Sequence, residues 1–139
     1  MNVDAIIALL EKCTFHLPNL DMNWYREYLN TNVPNRVVFT EYDPEKPEKC
    51  IGVAVMFTDP YEHNLIAVDP DYRHRGIAQR LESNVISMVP KGCTIELDTF
   101  REGDPRGEAV RKLHIKMGFV PGELNFRHGV PQQHFTLEV

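Results

Sequence analysis

The chain has 139 residues and a net charge of −5, and 42% of its residues are hydrophobic while 25% are charged. This size and balance predict a single domain over residues 1–139 with a hydrophobic core of its own. The acidic balance argues against broad nucleic-acid binding, and no apolar run approaches the ~20 residues that span a bilayer, so we expect no membrane partner.

The cysteines and histidines argue against a disulfide framework and against a metal site. Cys13, Cys50 and Cys93 are widely spaced and odd in number, which favours a reducing compartment. Asp4 stands early in the chain, where a signal peptide would carry a basic leader. None of the six histidines falls at the HxH or HExxH spacing typical of metal ligands, so we expect no metal. The expected location is the cytoplasm.

The first half of the chain predicts two helices followed by two strands. Apolar residues recur at helical spacing over residues 4–13 and over residues 20–30, where Asp21 is a suitable N-cap. Residues 36–42 and 51–57 are rich in β-branched and aromatic residues, which predicts strands. A polar segment with two prolines separates them, so the two strands form a hairpin and are antiparallel.

The second half predicts a strand–helix–strand unit, then a last helix and two closing strands. The predicted elements are a strand at 65–68, an amphipathic helix at 77–88, a strand at 94–100, a helix begun by Asp104-Pro105 and ended by Gly118, and strands at 124–127 and 134–139. The helix between the strands at 65–68 and 94–99 makes them parallel, and a cleft opens where such strands splay apart. The predicted fold is α/β, with a mixed, mostly antiparallel sheet, a central parallel pair and about four flanking helices.

A candidate anion site lies between the strand at 65–68 and the helix that follows it. A helix start leaves backbone N–H groups without partners and carries a partial positive charge. Gly76 and Ala78 are small enough for a ligand to reach this backbone, and Arg73 and Arg75 carry permanent charge. These features are typical of a phosphate or pyrophosphate site. Taken alone, they fit an ordinary strand–turn–helix with surface arginines equally well.

Two motifs resemble those of a known family. The residues Val68-Asp69-Pro70 followed by Arg73 to Ala78 are similar to the acetyl-CoA signature Q/R-x-x-G-x-G/A of the GCN5-related N-acetyltransferases (GNAT), and Leu113 to Phe119 resembles the family's late helix ending in Gly-Phe. The resemblance covers roughly residues 49–139. The family usually begins with a strand, and because this chain starts in a predicted helix we expect that strand to be missing or very short. An open sheet edge would follow, and a homodimer is one way to cover it.

The resemblance implies a GNAT-like fold with acetyl-CoA as co-substrate. The residues that it assigns to the cofactor are Ile66, Ala67 and Val68, whose backbone would bind the pantetheine arm, and Arg73, His74, Arg75, Gly76, Ile77 and Ala78, which would hold the pyrophosphate. A backbone N–H near Val68 would face the thioester oxygen, where negative charge develops during acyl transfer.

Three side chains are candidates for proton transfer. The family usually has a Tyr at the position of His114, where it donates a proton to the leaving thiolate, and an imidazole can act as acid or base. Glu96 and Asp98 share one face of their strand, and some family members use a Glu on this strand as the general base, so Glu96 is the first candidate. Structural roles remain open for all three: a helix contact to cofactor for His114, and solvated or ion-paired carboxylates for the others.

These features predict an N-acetyltransferase that moves an acetyl group from acetyl-CoA to a primary amine. The reaction would be direct attack in a ternary complex, since no cysteine is placed as an acyl carrier. The alternative is a catalytically reduced module that binds or senses acyl-CoA, which the absent first strand and the absent Tyr favour. The acceptor is a small-molecule or peptide amine that the sequence does not identify.

Overall fold

The computed structural model describes every residue from Met1 to Val139. The helices are α1 (Val3–Glu11), α2 (Met22–Asn30), α3 (Ile77–Ser87) and α4 (Glu108–Lys116). The strands are β1 (Arg36–Asp43), β2 (Lys46–Phe57), β3 (Tyr61–Val68), β4 (Thr94–Phe100), β5 (Val120–Arg127) and β6 (Val130–Glu138), and a short 3₁₀ helix spans Pro70–Tyr72. None of the helices has the length and apolar character needed to cross a membrane.

One six-stranded sheet, in the order β1-β2-β3-β4-β6-β5, forms the centre of the fold. Only β3 and β4 are parallel, and every other neighbouring pair is antiparallel. The β3–α3–β4 connection explains this, because a helix that crosses one face returns the chain in its original direction. The predicted α/β fold, with a mixed, mostly antiparallel sheet and four helices, is confirmed.

Helices cover both faces of the sheet. In β2, Val53 and Val55 pack in a buried cluster with α1 and α2, whereas Ala54 and Met56 pack in a second cluster with α3. All four side chains are fully buried. A strand that is covered on both faces has an apolar sequence throughout rather than an alternating one, and this accounts for the run of apolar residues in β2.

A β-bulge in β3 turns one side chain toward α3. Met56 of β2 pairs with His63, while the residue before Met56 pairs with Leu65, so Asn64 is an extra residue in β3. Side chains two apart on a regular strand point the same way, and a bulge breaks that rule. As a result, Leu65 packs with α1 and α2, while His63 contacts Glu82 of α3.

Two predicted helix starts can be compared with the structure. The N-cap at Asp21 is confirmed, since its carboxylate accepts hydrogen bonds from two backbone N–H groups of the first turn of α2. The predicted start at Asp104-Pro105 is wrong, because α4 begins at Glu108 behind Gly107. The Asp104 carboxylate instead accepts hydrogen bonds from the backbone N–H and the guanidinium of Arg106, which shape the turn before α4.

Candidate active site

A cleft of about 560 Å³ opens between β3 and β4. The two strands pair only at Tyr61 with Ile95 and at Glu62 with Glu96, and they diverge beyond those residues. The cleft is lined by residues 62–66 of β3, residues 97–100 of β4, Val110 and His114 of α4, residues 16–21 before α2, Trp24, Tyr25, Tyr28 and Phe57, and Arg127, His128, Val130 and Gln132 around the β5–β6 turn. The splayed parallel pair predicted from the sequence is therefore present.

Helix α3 begins behind a glycine that provides no cap. Gly76 has a φ of +77°, a left-handed conformation that favours glycine, and no side chain accepts a hydrogen bond from the first turn. A Cβ at this position would lie 3.2 Å from Nη1 of Arg80. His74 is also left-handed, with a φ of +64°. The N–H groups of Ile77 and Ala78 are thereby left for an anion.

Two arginines precede this helix start and are held by neighbouring rings. The guanidinium of Arg75 lies 4.9 Å from the ring centroid of Tyr72. Arg73 Nη1 donates a hydrogen bond to Nε2 of His16 at 3.1 Å, and His16 Nδ1 donates to the carbonyl of Arg106 at 2.7 Å. Because His16 lines the cleft, this chain of hydrogen bonds links the basic segment before α3 to the cleft.

The predicted cofactor residues fall on two segments separated only by the 3₁₀ helix and Asp69. Ile66 lines the cleft, and Ala67 and Val68 follow it on a stretch of β3 that no longer pairs with β4. The second segment runs from Arg73 to Ala78, up to the first turn of α3. An open strand edge followed by uncapped amides and cations suits an extended, amide-containing ligand that ends in a pyrophosphate. The residues present fit acetyl-CoA.

A buried carboxylate holds the ring of His114. His114 Nδ1 donates to Oε1 of Glu82 at 2.8 Å, and His63 Nε2 donates to Oε2 of Glu82 at 3.3 Å. Glu82 is 0% exposed, and His114 and His63 are 3% and 5% exposed. A carboxylate only accepts hydrogen bonds, so the bonded nitrogen of each ring carries the hydrogen. Since His114 lines the cleft, its Nε2 is the ring nitrogen left for a ligand.

The two histidines keep Glu82 ionised. Burial alone raises the pKa of Glu82, but the hydrogen bonds from His114 and His63 and the electrostatic attraction of these side chains outweigh burial and lower that pKa to about 2. The apolar rings of Phe119 and Phe135 lie 5.5 Å and 6.2 Å from the His114 ring, centroid to centroid. Electrostatic contacts are stronger in such an apolar enclosure than in water, so the carboxylate fixes the orientation of His114.

Three carboxylates lie on the splayed strands, in different environments. Glu62 and Asp98 line the cleft, whereas Glu96 does not. Glu96 accepts a hydrogen bond from Nε2 of His134 at 3.3 Å, and Asp98 accepts hydrogen bonds from His134 and Asn125. Burial raises the pKa of Asp98, but the hydrogen bonds from Asn125 and His134 and the positive charge of Arg127 and His134 outweigh burial and lower that pKa. The assignment of Glu96 as the general base stays a prediction, with Glu62 as a second candidate.

Aromatic rings of α2 form one wall of the cleft. The Trp24 ring stacks on Tyr28 with centroids 5.2 Å apart and planes 8° apart. Trp24 is 57% exposed, whereas Tyr25 is 3% exposed and belongs to the core under α1 and α2. Burial raises the pKa of both tyrosines. Both phenols therefore stay neutral and present uncharged aromatic surface.

Several residues of the site were missed in the sequence. Glu62 and His63 are separated from the predicted strand only by Asn64, with no glycine or proline in between, so a longer strand could have been predicted from that continuity. Glu82 offers no comparable signal, because it stands among the polar residues that separate the apolar positions of α3. His16 lies in a connection between helices, where no pattern predicts a contact.

Comparisons with known proteins agree with this geometry. A model of the acetyltransferase (GNAT) domain matches residues 34–121. No curated protein matches the chain. A GNAT-family structure from Desulfovibrio desulfuricans has a TM-score of 0.74 at 18% identity, with 97% of this chain and 92% of that chain covered.

Two further structures resemble the chain. The ribosomal-protein-S18-alanine N-acetyltransferase from Escherichia coli has a TM-score of 0.71 at 19% identity, over 96% of this chain and 86% of that one. A streptothricin acetyltransferase from Bacillus anthracis, in complex with acetyl coenzyme A, has a TM-score of 0.62 at 23% identity, over 87% of this chain and 69% of that one. At these identities the structures show a shared fold.

The matched domain spans more than half of the chain, so the protein belongs to the GNAT acetyltransferase family. The family predicted from the two motifs is confirmed. Acetyl-CoA is the co-substrate of this family, and one of the similar structures contains it.

Proposed function

We propose that the protein is an N-acetyltransferase that transfers the acetyl group of acetyl-CoA to a primary amine by direct attack in a ternary complex. The observation that carries this proposal is the cleft between β3 and β4. One lining element is the unpaired edge of β3, and another is α4 with His114, whose ring is oriented by Glu82. A donor arm and a proton donor would thus meet in one cleft.

The chain's backbone and cations would bind the donor. The N–H groups of Gly76, Ile77 and Ala78 would take the pyrophosphate, together with Arg73 and Arg75. A backbone N–H near the end of β3 would face the acetyl oxygen, and one such donor to developing negative charge is typically worth about 3 kcal/mol. His114 would donate a proton to the leaving sulfur, which needs modest help because a thiol has a pKa near ~8.5.

A carboxylate would take the proton that the attacking amine must lose. Glu62 lines the cleft, whereas Glu96, the candidate from the sequence, lies directly across from it in the strand register and is bonded to His134. The variants Glu62→Gln and Glu96→Gln separate the two assignments. The one that removes the base lowers kcat by about 10²-fold or more, and the other leaves kcat within a small factor of the wild-type value.

The acceptor would enter past the aromatic wall of α2. Trp24 and Tyr28 offer apolar surface, and Glu62 offers negative charge that attracts a cationic amine. The charge of Asp98 is already compensated by its ion pair with Arg127 at 2.8 Å. Among the similar structures, one is named for acetylation of a protein's alanine and another for acetylation of streptothricin. The acceptor panel should therefore contain peptides with a free N-terminus as well as small amines.

The test is acetyl-CoA binding by calorimetry, together with coenzyme A release in the presence of the amine panel. Gly76→Glu places a side chain and a negative charge on the helix start, so we expect loss of both binding and turnover. Gly92→Glu is the matched control, because Gly92 also has a positive φ, +89°, and a Cβ there meets nothing within 4 Å. Equal binding by the wild-type protein and Gly76→Glu would refute the proposed cofactor site. Tight binding without transfer to any amine would select the acyl-CoA-binding module instead.

A further inference from the structure

We propose that Glu82 and His63 are positioning residues that act through His114, and that the three side chains together hold one proton for delivery from His114 Nε2 to the departing sulfur. The inference rests on the proposed function and adds to it two residues that lie behind the proton donor. His63 belongs to β3, Glu82 to α3 and His114 to α4, so the unit forms only when these three elements pack together.

The charge of the buried cluster requires one extra proton. Glu82 is fully buried and bonded on both carboxylate oxygens. An ionised carboxylate without a positive partner is strongly unfavourable in the protein interior. If both imidazoles were neutral, the cluster would carry a charge of −1, whereas one imidazolium makes it neutral. Because Glu82 is fully buried, water cannot compensate its charge directly, whereas both histidines border the cleft and can exchange protons with it.

The geometry selects the nitrogen that acts. His114 Nδ1 and His63 Nε2 are occupied by their hydrogen bonds to Glu82. The nitrogens left for proton exchange are therefore His114 Nε2 and His63 Nδ1. Both rings line the cleft. Their centroids are 5.7 Å apart and their planes stand at 80°. The positive charge can therefore reside on either ring while the carboxylate between them stays in place.

The proton step balances within this unit. As the amine nitrogen bonds to the acetyl carbon and the carbon–sulfur bond breaks, the sulfur leaves with the electron pair and takes the hydrogen of His114 Nε2. His114 becomes neutral, and the cluster would then carry the uncompensated charge of Glu82. His63 takes up a proton from water in the cleft and restores neutrality. The proton that the amine loses passes to the carboxylate base and then to solvent.

Other titratable groups share the cleft and have to be separated from this unit in any pH profile. They are His16, Asp21, Tyr25, Tyr28, Glu62, Asp98, Arg127 and His128. None of them is among the hydrogen-bond partners of Glu82, which are His63 and His114 alone. A signal that depends on Glu82 therefore reports on the unit.

The first test is the ¹⁵N spectrum of the histidine rings in the intact protein. At about pH 7 we expect His114 with hydrogen on Nδ1, and one imidazolium shared by His114 and His63. Glu82→Gln should leave both rings neutral at the same pH, because the negative charge that holds the proton is gone. A wild-type spectrum with two neutral rings, or with His114 carrying hydrogen on Nε2 alone, would overturn the proposal.

The second test is kinetic and uses the amine that the panel identifies. We expect Glu82→Gln to lower kcat by about 10²-fold while KM for acetyl-CoA stays unchanged, since Glu82 does not lie at the α3 helix start. Glu82→Asp keeps the charge and should recover part of kcat, and His63→Gln should show a smaller loss than Glu82→Gln. Glu108→Gln is the matched control: Glu108 lies on exposed α4 surface, paired with Lys112, and its loss should leave kcat unchanged.

These outcomes separate the inference from the proposed function. If acetyl-CoA does not bind, or no amine is acetylated, the proposed function fails, although the ring spectra still show whether the proton is shared. If acetylation proceeds and Glu82→Gln retains wild-type kcat, the inference fails and the function stands. Equal losses in Glu82→Gln and Glu82→Asp, with a native circular dichroism spectrum for both, would also count against a charge-based role.

Discussion

His134 of β6 bridges two carboxylates of the neighbouring strand β4. Its Nδ1 donates to Asp98 at 3.0 Å and its Nε2 donates to Glu96 at 3.3 Å. Burial lowers the pKa of His134, but the hydrogen bonds to these two carboxylates and their negative charge outweigh burial and raise it above the ordinary value. A raised pKa means that the folded state binds the proton more tightly than the unfolded state does. The resulting stability is complete below the unfolded pKa and is lost as the pH rises through the folded one.

His134→Asn should therefore destabilise the protein more in weakly acidic than in alkaline solution. We expect a loss of about 1 kcal/mol in the free energy of unfolding at about pH 5.5, and a much smaller loss at about pH 9. The measurement is urea unfolding at a series of pH values. His128→Asn is the control. Because no carboxylate contacts His128, any change in the free energy of unfolding of this variant should be the same at every pH. A loss for His134→Asn that is the same at both pH values would contradict the expected linkage.

Single residues differ in how far their roles can be predicted from the sequence. Gly76 was predicted as part of an anion site, and the structure gives it the positive φ and the uncapped helix start that such a site needs. Glu82 could not be predicted, because its partners His63 and His114 are 19 and 32 residues away in the chain. Its contact with His63 depends on the bulge at Asn64, which turns His63 toward α3. Only the packed fold brings these three residues together.

At the level of elements, α3 approaches β2 closely at Gly52. A Cβ on Gly52 would lie 2.6 Å from Cγ2 of Ile77 and 3.1 Å from Cδ1 of Leu81. Ile77 is the first residue of α3 and is 2% exposed. The absence of a side chain at Gly52 thus lets the start of α3, with its free N–H groups, lie close against the sheet.

Gly52→Ala should destabilise the fold by overpacking. We expect a loss of about 1–3 kcal/mol in the free energy of unfolding, measured by chemical denaturation. Ile77→Leu removes the γ2 methyl that the new Cβ would meet, so the double variant should recover part of the loss, and Ile77→Leu alone provides the reference. No loss in Gly52→Ala would show that α3 adjusts freely, and no recovery in the double variant would show that the loss does not come from the contact with Ile77.

The elements themselves could largely be predicted, and the exceptions have local causes. Helix α3 was predicted at 77–88 and runs over Ile77–Ser87, because regular apolar spacing and the preceding glycine define it. Strand β3 was predicted at 65–68 but begins at Tyr61, since the polar residues before Leu65 and the bulge among them hide the strand pattern. The start of α4 was misplaced because Asp104-Pro105 has the chemistry of a cap but forms a turn with Arg106. Local patterns do not distinguish these two uses.

For the whole molecule, the splay divides the sheet into two sets of strands. Strands β1, β2 and β3 form one set and β4, β6 and β5 the other, and they pair only through Tyr61 with Ile95 and Glu62 with Glu96. Elsewhere the two sets are held together by side-chain contacts. These contacts include the packing of α3 and the hydrogen bonds of Glu82 with His63 and His114. Regions with few backbone hydrogen bonds open most readily. A ligand in the cleft would contact both sets at once.

Acetyl-CoA should therefore stabilise the whole protein and protect the cleft edges against hydrogen exchange. At a ligand concentration of about 100 times Kd, the free energy of unfolding should rise by about 2.7 kcal/mol. In hydrogen-exchange mass spectrometry, the expected protection covers residues 64–68, residues 76–80 and residues 97–100, because these segments border the cleft or form the helix start. Gly76→Glu should show neither effect, and Gly92→Glu should show both. Protection confined to residues 76–80 would mean that the nucleotide binds but its arm does not enter between the strands, and a stability gain without protection at residues 64–68 would place the ligand elsewhere.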